Sequence, residues 1–295
     1  MARRRVIVVG GANTDIGGEP AQRLVRHDSN PGRVTIRHGG VGRNIACNLA
    51  QLGLDVRLLT ALGTDGLSAT LQEDCRARGV DTSLSRVVEG ARGSVYLYVA
   101  DEKGEMEAAI ADMDIVSALT PDFLCTRLDI LNAADAVVLD ANLDAASIAY
   151  LCENLTVPLY ADPVSGAKAP RLAAVLDRLS AIKPNLLEAR VLTGKSSPED
   201  CAEALLEKGA GSVFLSLGAD GILAASGGER ILLPAERTEI VSTTGAGDAA
   251  TAAIVWAEVQ GLELAAAACA AVRAGAITAA GEETVSPELK AEALI

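Results

Sequence analysis

Aromatic residues are scarce: Phe, Trp and Tyr make up 2% of the 295 residues, against 49% apolar residues in all. A core with so few rings has to be assembled from Ala, Val, Leu and Ile, which suits a layered α/β protein better than an aromatic-rich β-sandwich. Cysteine pairs are missing as well. The six cysteines are scattered without CxxC spacing, so neither a disulfide framework nor a zinc site is indicated, and most read as small core residues on helical patterns. The longest apolar stretch, near 265–280, is broken by Arg273 and reads as a buried Ala-rich helix, not a membrane span. The basic start, 1–5, precedes only Val6, Ile7, Val8 and Val9 before Gly10, which reads as a first strand and not as a secretory signal; a cytoplasmic protein is the expectation. Positive charge is also in deficit. A net charge of −13 repels polyanions, so neither nucleic acid nor a membrane is an expected partner, and an anionic ligand would need local donors and a metal.

What is present is a repeated alternation of apolar strands and helices. A β-branched run at 5–10 ends in glycine. A helix is expected from Asn44, stopped by Gly53, followed by a strand at 56–62 and a second helix capped by Ser68 and ended by Gly79. Strands recur at 136–139, 159–161, 181–183 and 212–216 with helical stretches between them. This pattern predicts a mostly parallel central sheet with helices on both faces. Two stretches break the rhythm. Residues 13–38 are rich in Gly, Asn, Asp and Pro, with Val34 and Ile36 alternating inward, and 94–100 with 106–110 form a strand pair across Asp101-Glu102-Lys103-Gly104. The chain is therefore read as one α/β domain over 1–295, with a small β appendage, a lid, made of inserted segments at about 13–38 and 92–115.

The chemistry concentrates at Ser242-Thr243-Thr244-Gly245-Ala246-Gly247-Asp248, which runs straight into a helix. Small residues there leave backbone N–H groups open at a helix N-terminus, where they can hold developing charge on a phosphoryl group. Asp248, in the first turn, can take the proton of an attacking hydroxyl. Taken alone, the run could equally be a Gly-rich loop before a helix-start charge. The chain has no GxxxxGK[ST] run and no protein-kinase GxGxxG ahead of a helix, so a P-loop enzyme and a protein kinase are disfavoured. Gly10 and Gly11 are followed by Asn13, Thr14 and Asp15 with no helical pattern, which excludes a dinucleotide-dependent oxidoreductase.

Gly39-Gly40-Val41-Gly42-Arg43-Asn44-Ile45-Ala46, with Gly53 and Gly63, resembles the N-terminal signature of the ribokinase-like carbohydrate and nucleoside kinases, the PfkB family, and 242–255 resembles its C-terminal signature. The resemblance covers essentially the whole chain. It implies a ribokinase-like fold, ATP and Mg²⁺, Asp248 as base, and Gly245, Ala246 and Gly247 as anion hole. Asn185 and Glu188 match the family's NxxE element, with Glu188 holding Mg²⁺ through water; by themselves they could be a capping pair. Ser216, Gly218 and Gly221, with Thr243, are the implied nucleotide contacts, although 216–221 could also be an ordinary turn. The chain departs from the pattern at Ala250, where Phe is frequent, at Ala253, where Gly is frequent, and at Ser242, where Asp is frequent; the last puts a monovalent-cation site in doubt.

The same resemblance implies that Asp15 grips two neighbouring sugar hydroxyls, with Asn13, Gly40, Val41, Gly42 and Asn44 around them; without it Asp15 could be an Asx turn. Segments 28–32 and 109–115, with Asp140, Asn142, Asp162, Pro163, Val164, Ser165 and Lys168, are similar to those of the pseudouridine-phosphorylating branch. They imply a nucleoside phosphorylated on its 5′-hydroxyl, with Ser29, Asn30, Asp112 and Met113 meeting the base. Lys168 could equally be a solvated surface charge. Another nucleoside or a ribose-type sugar is the alternative acceptor, and a non-catalytic nucleoside-binding regulator the alternative class. A homodimer through the lid is the expected partner state if the apolar side chains of the lid are exposed.

Overall fold

The computed structural model describes residues 3–295, so Met1 and Ala2 of the basic lead-in lie outside the described residues. In β1 (Arg5–Val9) the side chains alternate between two apolar cores. Val6 and Val8 join one and Ile7 and Val9 the other, so both faces of this strand are dry. The same two cores run the length of the sheet. The strands that follow are β2 (Asn13–Pro20) and β3 (Gly32–Gly39), then β4 (Asp55–Leu59), β5 (Ala61–Leu62), β6 (Val80–Asp81) and β7 (Arg86–Val87). Next come β8 (Val95–Ala100), β9 (Met106–Asp112), β10 (Ala136–Asp140), β11 (Leu159–Asp162) and β12 (Ala181–Ile182). The last are β13 (Ser212–Ser216), β14 (Ile222–Ser226) and β15 (Glu229–Leu233). A nine-stranded sheet has the order β15-β14-β13-β12-β11-β10-β1-β4-β6, parallel except where β14 and β15 pair antiparallel at one edge.

Helices α1 (Val41–Gln51) and α2 (Gly66–Ala77) cover the first core together with α8 (Ala246–Val259) and α9 (Leu264–Ala279). The second core is covered by the short α3 (Pro121–Cys125) and α4 (Leu128–Asn132), by α5 (Ala145–Asn154), and by α6 (Leu186–Thr193) and α7 (Pro198–Glu207). Alanine dominates the inner faces of α8 and α9, and its small side chain lets these helices pack closely without aromatic filling. Among the described residues no helix is long and apolar enough to cross a membrane. Cys47, Cys75, Cys152 and Cys201 are buried as expected, Cys125 is exposed, and Cys269 is half-buried.

A separate four-stranded sheet, in the order β3-β2-β8-β9, is built from the two stretches that break the βα rhythm. Cross-strand register puts Ile16, Ile36, Leu97 and Ile110 on one face and Asp15, Arg37, Tyr96 and Ala111 on the other. The first face is not inward: Val34 is 69% exposed, Ile36 60% and Ile110 67%. The alternation at 33–37 was right in period and wrong in direction. Arg37, on the second face, reaches the body by donating from Nη1 to the carbonyl of Glu282, 3.0 Å away.

Four local expectations are corrected. The first helix starts at Val41, three residues before Asn44, because Gly40 supplies its N-cap with φ 96°. The strand at 56–62 divides at Thr60, whose N–H donates to Ser85 Oγ, and Ala61 and Leu62 turn away to pair with β7. The cap of α2 is Asp65, which accepts from the Ser68 N–H; Ser68 itself accepts from Gly63 through Oγ. The antiparallel β14–β15 edge had no counterpart in the sequence reading.

Candidate active site

The carboxyl ends of the parallel strands meet along one edge of the nine-stranded sheet. Asp140 ends β10, Asp162 ends β11, Lys183 follows β12, and Ser216 ends β13. In open α/β sheets this edge is where ligands bind. The N-terminus of α8 faces it. Its cap, Gly245, has φ 86°, and a Cβ there would fall 2.2 Å from the Thr284 carbonyl, so only glycine fits. A cleft of about 410 Å³ opens here, lined by Thr243, by Ala246, Gly247 and Asp248 at the start of α8, by Asn185 and Glu188 at the start of α6, and by Ser216, Gly218 and Gly221 at the end of β13 and in the turn after it. All the residues read from the sequence as nucleotide contacts therefore stand together beside Asp248. Val164, on the same wall, holds φ 67°, a strained value for a β-branched residue, and its neighbour Ser165 donates to the Pro163 carbonyl at 2.7 Å. Gly194-Lys195-Ser196, the nearest approach to a phosphate loop, follows helix α6 instead of a strand and lies outside the cleft.

The cleft floor is a charged cluster. Asp248 is half-buried and accepts from Asn44 Nδ2 at 2.8 Å. Asp162 Oδ2 accepts from Thr251 Oγ1 at 2.7 Å and lies 3.4 Å from Lys183 Nζ, both side chains being almost fully buried. The Lys183 ammonium also comes within 3.6 Å of where a Cβ on Gly247 would sit, next to the expected anion hole. Burial, then the carboxylates of Asp162 and Asp140, push the Asp248 carboxyl up to about 7, against the pull of Asn44 and Lys183. Burial works against the Lys183 charge, but Asp162, Glu188 and Asp248 together hold it above its ordinary value. Glu188 is raised, chiefly by burial. Asn185 and Glu188 form a complete capping box: Glu188 Oε2 accepts from the Asn185 N–H at 2.8 Å and Asn185 Oδ1 from the Glu188 N–H at 2.9 Å. The bland reading of that pair is thus true, and the pair still faces the cleft.

On the other side of Asp248 the N-terminal residues gather. Asp15 accepts from Asn13 Nδ2 at 2.6 Å, and burial raises its carboxyl. A Cβ on Gly40 would lie 2.6 Å from Ala12 Cα, and one on Gly42 3.0 Å from Asp140 Oδ2, so the start of α1 packs directly on the turn after β1. Gly39 packs on Asp15 and Gly40 on the Asn13 N–H, Val41 lines the cleft, and Asn44 reaches Asp248 through its amide.

Five acceptor residues depart from the expectation. Ser29 and Asn30 sit in the loop closing the far end of the β2–β3 hairpin, roughly 20 Å along the strand from Asp15. Asn30 spends its amide locally, on Val25 and Asp28, so the fold sets this pair apart from the site. Asp112 is at the near end of β9 but on the face of Thr14 and Val95, opposite to Asp15, and Met113 next to it packs on the second core. Lys168 neither floats in solvent nor lines the cleft: Nζ donates to Asn142 Oδ1 at 2.6 Å, Asn142 Nδ2 donates to Asp140 Oδ2 at 3.0 Å, and the same oxygen accepts from the Gly11 N–H. Residues the sequence reading passed over are Lys183, Thr251 and Tyr96, the last lying beside Asp15 in register. Lys183 had a signal, a lone Lys at the end of an apolar strand just before the Pro-Asn pair.

Comparison with known proteins agrees with this geometry. Residues 3–291 match the model of the pfkB family carbohydrate kinases. The chain is 34% identical to pseudouridine kinase of Escherichia coli (strain K12) over 291 residues, covering 96% of this chain and 93% of that protein. A carbohydrate kinase from Agrobacterium tumefaciens superposes with a TM-score of 0.88 at 30% identity, covering 99% of this chain and 95% of that one. Arabidopsis thaliana ribokinase, complexed with ribose and ATP, shares the fold with a TM-score of 0.85 at 22% identity over 100% of this chain and 98% of that one. With both signatures assembled around a single cleft and the family model matched almost end to end, the chain belongs to the PfkB family of carbohydrate kinases.

Proposed function

We propose that this protein phosphorylates the 5′-hydroxyl of pseudouridine with ATP, giving pseudouridine 5′-phosphate and ADP. The observation that carries the acceptor is the 34% identity to a pseudouridine kinase along 96% of the chain. In this reading ATP occupies the cleft lined by Asn185, Glu188, Ser216, Gly218, Gly221 and Thr243. Asp248 takes the proton of the 5′-hydroxyl while that oxygen bonds to the γ-phosphorus and the bond to the bridging oxygen of ADP breaks. A carboxylate near 7 suits a base at neutral pH. The N–H groups at the start of α8 receive the charge that develops on the phosphoryl oxygens, with Lys183 behind them. Asp15 holds the sugar diol, and the small sheet closes over the base as a lid.

Glu188 would hold, through water, the Mg²⁺ that accompanies ATP, and that ion would neutralise phosphate charge. The donor set fits such an ion. Glu188 gives one oxygen to the Asn185 N–H and keeps the other for a water, the mode of binding that suits an ion held mainly by phosphates. Ser242 brings no carboxylate to the neighbouring turn, and its Oγ accepts from the Thr244 N–H, so the reading includes no monovalent cation. The exposed outer face of the small sheet supports a homodimer formed through it. A cytoplasmic location, where ATP is supplied, goes with this reading.

A coupled ADP-release assay with MgATP tests the acceptor against pseudouridine, uridine, cytidine, inosine, ribose and fructose 6-phosphate. The highest kcat/KM is expected for pseudouridine. A preference for ribose or the sugar phosphate overturns the acceptor, a preference for another nucleoside moves the protein to that activity, and nucleoside binding without turnover makes it a regulator.

A further inference from the structure

The carboxylate read above as the base is held by an amide that is itself held. Asn44 presents Nδ2 to Asp248 Oδ2 at 2.8 Å. An amide turned by half a rotation would fit the same space and set its oxygen against the carboxylate. The neighbouring side chain decides between the two: Arg43 Nη1 donates to Asn44 Oδ1 at 2.9 Å, and a guanidinium can only donate. The same Nη1 donates to the His38 carbonyl, 3.1 Å away, at the end of β3 in the small sheet. Nη2 pairs with Asp74 of α2, which also accepts from Arg78 Nε at 3.2 Å. The guanidinium is 2% exposed and its Nε has no partner. A charge buried at that cost, with one donor unpaired, is weak evidence for a purely stabilising role.

The groups facing the guanidinium are Cys47 on its own helix, Asp74, Cys75 and Arg78 from α2, and His38 and Asp15 from the small sheet. Those facing Asp248 are Asn44, Asp140, Asp162 and Lys183. Arg43 stands one amide away from Asp248, so its charge bears on the carboxylate beside its hold on the Asn44 amide, and Arg43→Lys, which keeps the charge without the fork, separates the two.

We propose that Arg43 is a positioning residue for phosphoryl transfer, fixing the Asn44 amide with its N–H toward Asp248 and tying that setting to the base of the small sheet through the His38 carbonyl. The proposal rests on Asp248 being the general base. Its test is the pH profile of kcat/KM, with MgATP and pseudouridine, for the wild type and for Arg43→Met, Arg43→Lys, Asn44→Ala, Arg43→Met with Asn44→Ala, and Asp74→Asn.

Loss of a donor to an ionised carboxylate raises its pKa. Arg43→Met is expected to lower kcat about tenfold and to move the acid limb up by about one unit, as Asn44→Ala does. In the double variant the limb moves by clearly less than the sum of the two single shifts, because the amide path is shared and only the charge of Arg43 is left to lose. Asp74→Asn, remote from both substrates, shifts the limb the same way by less, and with Arg43→Lys it carries the test should Arg43→Met fail to fold. A lowered melting temperature with an unmoved acid limb makes Arg43 structural only and overturns the proposal, as do additive shifts in the double variant. A wild type with no acid limb instead sinks the reading of Asp248 as base, and the role of Arg43 falls with it.

Discussion

The body and the small sheet solve opposite problems. In the body, each polar group at the site is pinned by another: Asn44 on Asp248, Thr251 and Lys183 on Asp162, Asn142 and the Gly11 N–H on Asp140. Both faces of its central strands are dry, and the strands carrying these groups are held on either side. The small sheet has no helix of its own and turns an apolar face outward. It meets the body through its strand ends and through contacts such as Arg37 on the Glu282 carbonyl. Charge stabilisation depends on groups that do not have to reorganise during the reaction, whereas admitting and enclosing an acceptor depends on an element weakly enough held to move. The division predicts which variants damage chemistry and which damage capture.

The largest effect should come from the body. Asp248→Asn is expected to cut kcat by a factor on the order of 10² to 10⁴ while ATP still binds, as measured by nucleotide titration. Near-normal turnover would break the comparison at its centre. Asp15→Ala, at the junction of the two regions, should instead raise the KM for the acceptor roughly 10- to 100-fold, the worth of hydrogen bonds to a carboxylate, and leave the KM for ATP in place. A change confined to ATP would show the two halves of the site to be assigned the wrong way round. Between these lies the pH dependence. In the proposed reaction Asp248 works deprotonated, and its carboxyl is pushed up to about 7, so kcat/KM should fall about tenfold per unit below that pH. A profile flat to pH 5 would mean that another group takes the proton.

The same division marks what could be read from the chain. The βα rhythm and both glycine signatures were legible because each is local: a period, a turn or a helix start written in neighbouring residues. Asp248 was singled out in this way and Asn185 and Gly221 through the family resemblance, and the fold sets all three on one cleft. The outward turn of Val34 and Ile36 was not legible, since alternation gives the period of a strand and not which face meets the body. Ser29 and Asn30 stood close to Asp15 in sequence, but an eight-residue strand carries them away from it. Arg43 and Lys183 are ion-paired to Asp74 and Asp162, 31 and 21 residues distant, and no local pattern encodes those pairings. The Ser68 cap failed because Asp65, three residues earlier, competes for the same role and wins it.

On the small sheet the expected effects are milder. If its outer face joins two chains, Ile36→Glu together with Ile110→Glu should convert a dimer to a monomer in analytical ultracentrifugation without unfolding the body, because both side chains are already exposed in the single chain. A wild type that is monomeric at all concentrations removes the dimer from the reading.

The smallest effect returns to the body and tests whether its rigid site is held at a cost to stability. The Asp248 carboxyl is raised from 3.8 to about 7 by folding, so its contribution to stability is fully present below the unfolded value and is lost as pH rises through the folded one. Above pH 7 the ionised group therefore opposes folding. Three units are worth about 4 kcal/mol at face value, but the carboxylate is half open to the cleft, which reduces the figure to roughly 1–2 kcal/mol. Asp248→Asn, neutral at every pH, should melt about 2–5 °C higher than the wild type at pH 8 and higher by only about a third of that at pH 5, where the unfolded carboxyl is already ionised. An equal shift at both pH values would point to altered packing instead of charge. A lower melting point at pH 8 would mean that Asn44 and Lys183 more than offset the burial, and that the base is stabilised by the site that uses it.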